Sequence, residues 1–263
     1  MPSFKSMPSA RVDGPTVVRE ALKVLLPRQA DPARRAFLRR SLTLGGVSLL
    51  SGCDITDDSG VEAALNAISR FNDRVQAALY DPARLAPTYP DSMITRPFPF
   101  NAYYGEDEIR EVDGDAWRLE VAGLVSAAKR WSLAELRKMP QAVQVKRHVC
   151  VEGWSAIGKW GGVPFAEVLR RSGADLTARY VDFRCTDDYH TSIDMATALH
   201  PQTILALDWD GTPLPAKYGF PVKLRMPTKL GYKNPKHIHT IVVTDVYPGG
   251  YWEDQGYNWF GGS

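Results

Sequence analysis

"RHVCVEGWSAIGKWGGVPFAEVL", residues 147–169, decides how this chain is read. It puts Cys150 behind Lys146, Arg147 and His148 and ahead of a stretch rich in glycine and tryptophan. The residues before it, AVQVKRHVC, read as a strand that ends at the cysteine. VPFAEVLRRSG reads as a helix, with Pro164 at its start and Gly173 at its end. A strand end entering a loop is a place where chemistry is displayed. Neighbouring positive charge lowers a thiol pKa toward the thiolate, and Gly153, Gly158, Gly161 and Gly162 let backbone approach a ligand. On these residues alone two readings of Cys150 stand side by side: a reactive or metal-bound thiolate, and a disulfide to Cys185, which suits an oxidising compartment. Cys185 falls in register with Val181 and Phe183 in YVDFRCTD and reads as a core residue.

Working outward, WRLEVAGLV, YVDFRCTD, TILALDWDG, PVKLRMP and HIHTIVVTDV are further strand signals, and Asp210-Gly211 is a turn signal. SLAELRKM is a short helix opened by a Ser132–Glu135 capping box and stopped by Pro140. The helices are too few for repeated βαβ units, so the fold class is α+β and rich in β. VEAALNAISRFNDRVQAALY, residues 61–80, predicts a helix with Val61, Leu65, Ile68, Val75 and Leu79 near one face. Residues 81–100 hold five prolines and predict an extended crossing segment. The expected division is a leader over 1–53, a helix and Pro-rich linker over 54–95, and one catalytic domain over 96–263.

The formal net charge of +2 is unevenly spread. Residues 1–53 carry nine Lys/Arg against three Asp/Glu, and the remainder 23 against 27. An acidic body offers no basic face for phosphate neutralisation, so nucleic-acid binding is excluded. The basic leader contains ARRAFLRRSLTLGGVSLLSGCD. Arg34, Arg35, Phe37, Leu38 and Arg39 resemble a twin-arginine export signal, the alternative being an amphipathic surface helix with a basic end. The apolar run Leu42–Leu50 is shorter than the roughly 20 residues a spanning helix needs. LSGC resembles a bacterial lipobox, which would make Cys53 a lipid-modified anchor. The expected location is therefore the periplasm, with attachment to the membrane through Cys53.

CVEGWS followed by W-x-GVPFAEVL resembles the sulfite oxidase superfamily of molybdenum enzymes, and within it the exported methionine sulfoxide reductase branch. The resemblance covers about residues 96–260. It implies a sulfite-oxidase-type molybdopterin-binding domain, without the C-terminal Ig-like dimerisation domain of larger members, and a molybdenum-molybdopterin cofactor. Cys150 would be the one protein ligand to the metal, and His148, two residues earlier, a donor to an oxo group or substrate, or else a structural donor. NAYYG resembles the family's pterin loop and implicates Asn101, Tyr104 and Gly105. DGTPLPAKYGFPVKLRMPTKLGYKNPKHI resembles its second cofactor stretch, with Tyr218, Lys223, Asn234, Pro235 and Lys236. Three positions depart from the family: Cys185 stands where relatives have Thr, Tyr218 for Asn, and Lys223 for Arg.

Lys223, Arg225, Lys229, Lys233 and Lys236 gather positive charge that suits a pterin phosphate, or form a solvated basic face. His237 and His239 form an HxH that lacks a third ligand and reads as structural. The aromatic tail PGGYWEDQGYNWFGGS either rims a substrate funnel or seals the domain edge. The expected function is two-electron oxygen-atom transfer on a small sulfur-containing or similar oxide. A membrane b-type haem subunit or a cytochrome c would exchange electrons with a monomeric catalytic unit. A second reading is a cofactor-free periplasmic lipoprotein binding module with a Cys150–Cys185 disulfide.

Overall fold

The computed structural model describes the backbone from Ser59 and side chains from Ala67 onward. The leader motifs, the apolar run and Cys53 lie outside the described residues. Ala63–Ser263 forms one compact unit.

Two five-stranded sheets make up this unit. The first has the order β2 (Lys129–Ser132), β1 (Arg118–Gly123), β10 (Ile238–Thr244), β5 (Tyr180–Cys185), β6 (His190–Asp194). The second runs β3 (Ala142–Val149), β4 (Ser155–Pro164), β7 (Ile204–Trp209), β8 (Thr212–Pro213), with β9 (Lys223–Arg225) also paired to β7. β1 and β10 pair in parallel, Val121 opposite Ile241. The other pairs are antiparallel.

The period-2 pattern explains where the core sits. Leu119, Val121, Val181, Phe183, Ile241 and Val243 point from the first sheet into the main cluster, where they meet Phe165, Val168 and Leu169 of the helix Phe165–Arg171. On β7, Leu205 and Leu207 join that cluster. Ile204 and Ala206 face the other way, into a second cluster with Phe98, Trp160 and Tyr218. A strand buried on both faces reads as a continuous apolar run, as ILAL does here. The predicted capping box is formed: Ser132 Oγ accepts from Glu135 N at 3.2 Å, and Glu135 Oε2 accepts from Ser132 N at 2.9 Å.

Several expectations need correction. The Gly/Trp stretch after Cys150 is largely a strand: β4 pairs with β3 from Ser155 to Gly162. Gly158 and Gly162 make room for protein instead of ligand. A Cβ on Gly158 would lie 2.6 Å from the Trp209 ring, and one on Gly162 would lie 2.0 Å from the Leu205 carbonyl oxygen. The extended segment over 81–100 crosses the domain as expected: Tyr89 N donates to Val145 O, Thr95 N donates to Ile157 O, and Ile94 and Phe98 are buried. His237 precedes β10 with φ 51°, so the HxH is not a strand pair.

The first helix, α1 (Ser59–Leu79), is inside out. Asp73 and Gln76 turn toward the domain and accept from Phe260 N and Gly262 N, whereas Ile68, Phe71 and Leu79 are 58%, 62% and 79% exposed.

Because the clash at Gly162 is with backbone, no rotamer change relieves it. Gly162→Ala should destabilise the fold by about 3 kcal/mol or more, read as a lowered urea midpoint. A change within about 0.5 kcal/mol would mean that the β4–β7 contact yields.

Candidate functional site

Cys150 follows the last residue of β3 and opens a tight turn. Its N–H donates to Trp154 O at 2.9 Å, and its carbonyl accepts from Gly153 N at 3.2 Å. Alternation along β3 puts Lys146, His148 and Cys150 on the buried side. The Cys150 thiol donates to Glu152 Oε2 at 3.6 Å, and Trp154 Nε1 donates to the same oxygen at 2.8 Å. Burial, together with the Glu152 carboxylate, pushes the thiol pKa above its ordinary value. The adjacent basic residues therefore do not activate it as the sequence suggested. Lys146 Nζ is turned to Ala86 O and Thr88 Oγ1, at 2.8 and 2.7 Å, and Arg147 is exposed. His148 is fully buried, its pKa held well below the ordinary value by burial and then by Arg225, Lys223 and Lys236. Cys150 and Cys185 are both free and buried, so the disulfide of the second reading is not formed.

A cleft of about 200 Å³ opens over Cys150. Among the sequence-predicted site residues, Asn101, Cys150, Asn234, Pro235 and Lys236 line it. His148 stands beside Asn101, with Nε2 3.5 Å from Asn101 Nδ2. Tyr104 reaches the cleft through Asp187, donating to Oδ2 at 2.9 Å. Lys223 lies beneath the cleft wall and donates to Asn234 O at 3.2 Å. Cys185 packs in the main core. Gly105 opens a short 3-10 turn at the surface, and Tyr218 donates to Phe98 O in the second cluster.

Sequence reasoning did not single out Glu152, Asp187, Tyr189 or Tyr232 as lining the cleft. Glu152 sits inside the quoted motif, and its spacing of two from the cysteine was the available signal. Asp187 carries none, because its place depends on the turn after β5. The tail does both things considered for it: Trp252 and Tyr257 line the cleft, while Glu253 and Phe260 seal the edge.

The basic residues divide into two groups. Lys233 is ion-paired to Glu253, and both are buried. Lys229 lies 3.6 Å from Asp194 and 3.0 Å from the Phe260 ring centre, and it donates to Phe260 O. These two hold the tail, so they are neither phosphate ligands nor a solvated face. Lys223, Arg225 and Lys236 are buried and have no carboxylate in salt-bridge contact among the described residues. They donate to neutral acceptors: Asn234 O, Asn234 Oδ1, Met226 O, Arg147 O and Lys217 O. Burial, then Lys236 and Arg225, push Lys223 well below its ordinary pKa. Burial lowers Lys236 from 10.5 to about 8. Close by, His148 Nδ1, His237 Nε2 and Arg225 Nε are buried without a partner. A buried charge is costly unless it is paired. The three basic side chains and the unsatisfied ring nitrogens of His148 and His237 together fit an anionic ligand rich in acceptors, and a pterin phosphate is one. No group of three His, Cys, Asp or Glu able to hold a metal occurs among the described residues.

The family described as "Oxidoreductase molybdopterin binding domain" matches residues 106–252. A putative protein-methionine-sulfoxide reductase subunit YedZ1 from Azospira oryzae is 68% identical over 251 residues, 95% of this chain and 96% of that protein. The protein-methionine-sulfoxide reductase catalytic subunit MsrP of Ralstonia nicotianae is 34% identical over 161 residues, 55% of this chain. That of Xanthomonas campestris is 34% identical over 154 residues, 52% of this chain. The chain spans about half the length of these two MsrP relatives, 49% and 48%. The fold is shared with the sulfane dehydrogenase SoxCD of Paracoccus pantotrophus, at TM-score 0.50 and 18% identity over 52% of this chain and 40% of that one.

The lowered Lys236 pKa has a definite sign. Between about 8 and 10.5 the folded protein binds fewer protons than the unfolded chain, so the cofactor-free protein gains stability as pH rises through that window. Lys236→Met should stabilise it at pH 7 by on the order of 2–3 kcal/mol, the advantage shrinking to nothing by pH 10.5. Urea midpoints at the two pH values check this; an advantage of the same size at both would refute it.

Proposed function

The chain belongs to the oxidoreductase molybdopterin-binding domain family of the sulfite oxidase superfamily, and from that premise we propose that it reduces sulfoxides, with Cys150 as the protein's ligand to molybdenum. It is a molybdopterin-dependent oxidoreductase. The observation that carries the proposal is the triad of buried basic residues, without a carboxylate in salt-bridge contact among the described residues, beside the cleft-lining Cys150. When bound, molybdenum-molybdopterin supplies a two-electron redox centre for oxygen-atom transfer.

The chain's own residues would then act as follows. Lys223, Arg225 and Lys236 neutralise the pterin phosphate by charge-assisted hydrogen bonds, and the nitrogens of His148 and His237 donate to the pterin side. Asn101 and Asn234 supply amide groups at the cleft wall. The Cys150 sulfur is a soft donor, as a thiolate-liking metal requires. It has to lose its proton on ligation, and Glu152 Oε2 is the nearest acceptor. Tyr232, Trp252 and Tyr257 wall the cleft mouth with aromatic surface that suits the apolar flanks of a sulfoxide and excludes water. The net reaction takes a sulfoxide, two protons and two electrons to a thioether and water. The sulfoxide of a methionine side chain is the substrate class borne in the names of the relatives. Electrons come from a separate carrier, a membrane b-type haem subunit or a cytochrome c, in keeping with the word "subunit" in those names. Arg34 and Arg35 support export by the twin-arginine route, which moves folded proteins, and Cys53 supports attachment by lipid.

The test is elemental analysis of protein matured in cells that make the cofactor, joined to reduction of methionine sulfoxide by dithionite-reduced benzyl viologen. Wild type should hold about one molybdenum per chain and turn over. Cys150→Ser should lose the turnover and most of the metal. Equal metal and turnover in both would remove Cys150 from the coordination sphere.

A further inference from the structure

β3 has two sides. Cys150 faces the substrate cleft, whereas Arg147 and Val149 point the opposite way and line a second groove of about 720 Å³. Its other walls are the end of α1, the segment 80–89, Pro227–Thr228 and the tail. Resting on the reading of Cys150 given above, we propose that this groove docks the electron-transfer partner, taking from it an apolar edge that bears carboxylates, such as a haem edge with its propionates.

Three observations carry the assignment. The first is distance through the chain: Val149 is the residue next to Cys150, so its Cα is only about 3.8 Å from the Cα of the cysteine. A donor seated against Val149 is one peptide from the sulfur, yet it leaves the substrate cleft open. The second is charge. Arg84 and Arg147 both line the groove and are exposed, and neither side chain has a carboxylate partner among the described residues. Among the described residues, Asp81 is the one acidic side chain in the wall. An exposed arginine pair over apolar surface selects an acidic partner and steers its approach. The third is apolar surface: exposed Leu79 and Leu85 stand at the rim, where an apolar contact would cover them.

The probe is the soluble haem domain of cytochrome b5, an acidic b-type haem protein, supplied reduced. Its oxidation by molybdenum-loaded enzyme and methionine sulfoxide is followed by stopped flow. Wild type should oxidise it at a rate that falls steeply with ionic strength. Arg84→Glu/Arg147→Glu should slow this by about tenfold or more, while turnover with reduced benzyl viologen stays at the wild-type level. Arg170→Glu/Arg171→Glu, a charge reversal elsewhere on the surface, should leave both rates unchanged. Viologen turnover that is absent from wild type would defeat the functional reading itself. Viologen turnover intact but cytochrome oxidation absent, or indifferent to the two arginines, would overturn the docking site and assign the groove to another occupant, such as the chain's own leader or a lipid surface.

Discussion

Lys223, Arg225 and Lys236 are the constraint around which the molecule is arranged. Each is buried, Lys223 is repelled by the other two, and the hydrogen-bond acceptors they find within the fold are neutral. Such a cluster opposes folding unless an anion joins it, because desolvation of a charge exceeds what carbonyl oxygens return. The rest of the fold supplies the counterforce. β9 is tied to β7, whose two faces are both buried in apolar clusters. Asn234 locks the following loop by accepting from Arg225 and from Met226 N while donating to Leu230 O. On the proposed reading, a cofactor bound there restores the stability given up, so that binding and folding are linked.

The same loop shows why neighbouring lysines have different fates. Lys229, Lys233 and Lys236 are spaced closely in sequence, yet Lys233 meets Glu253, Lys229 meets Asp194 and the Phe260 ring, and only Lys236 is left for a ligand. The paired lysines work at a distance. By fixing the tail they hold Trp252 and Tyr257 over the cleft. The two arms of the loop thus serve one site, one by contact and one by support.

Local order was well marked in the sequence. The Ser132–Glu135 cap, the strand ending at Cys150, the Asp210-Gly211 turn and the alternating runs of β1, β5 and β10 follow from propensity and period. What escaped depended on partners far along the chain. β4 was hidden because its glycines make room for Trp209 and for the Leu205 backbone, and neither is visible from residues 155–164 alone. β2 is only four residues long, and β6 carries no alternation: Thr191, Ser192 and Ile193 are all buried. The electrostatics of Cys150 were misread for a similar reason. Three basic residues in a row promise a positive field, but a strand sends alternate side chains to opposite faces, and Lys146 spends its charge on the segment 86–88. The apolar stripe of α1 was legible as a stripe; that it faces outward was not, since Asp73 and Gln76 hold the helix by satisfying backbone donors of the tail.

The pairing of β1 with β10 carries a consequence for how the protein comes into being. More than a hundred residues separate Val121 from Ile241, its parallel neighbour, and closing that span is slow because the loop entropy is lost before any contact compensates it. On a ribosome the first sheet stays open until Ile238–Thr244 has emerged, and Glu253 and Phe260, which hold Lys233 and Lys229, emerge later still. The nascent chain accordingly has no finished cradle to offer. On the proposed reading, the cofactor has a complete site only after β10 and the residues that follow it have been placed.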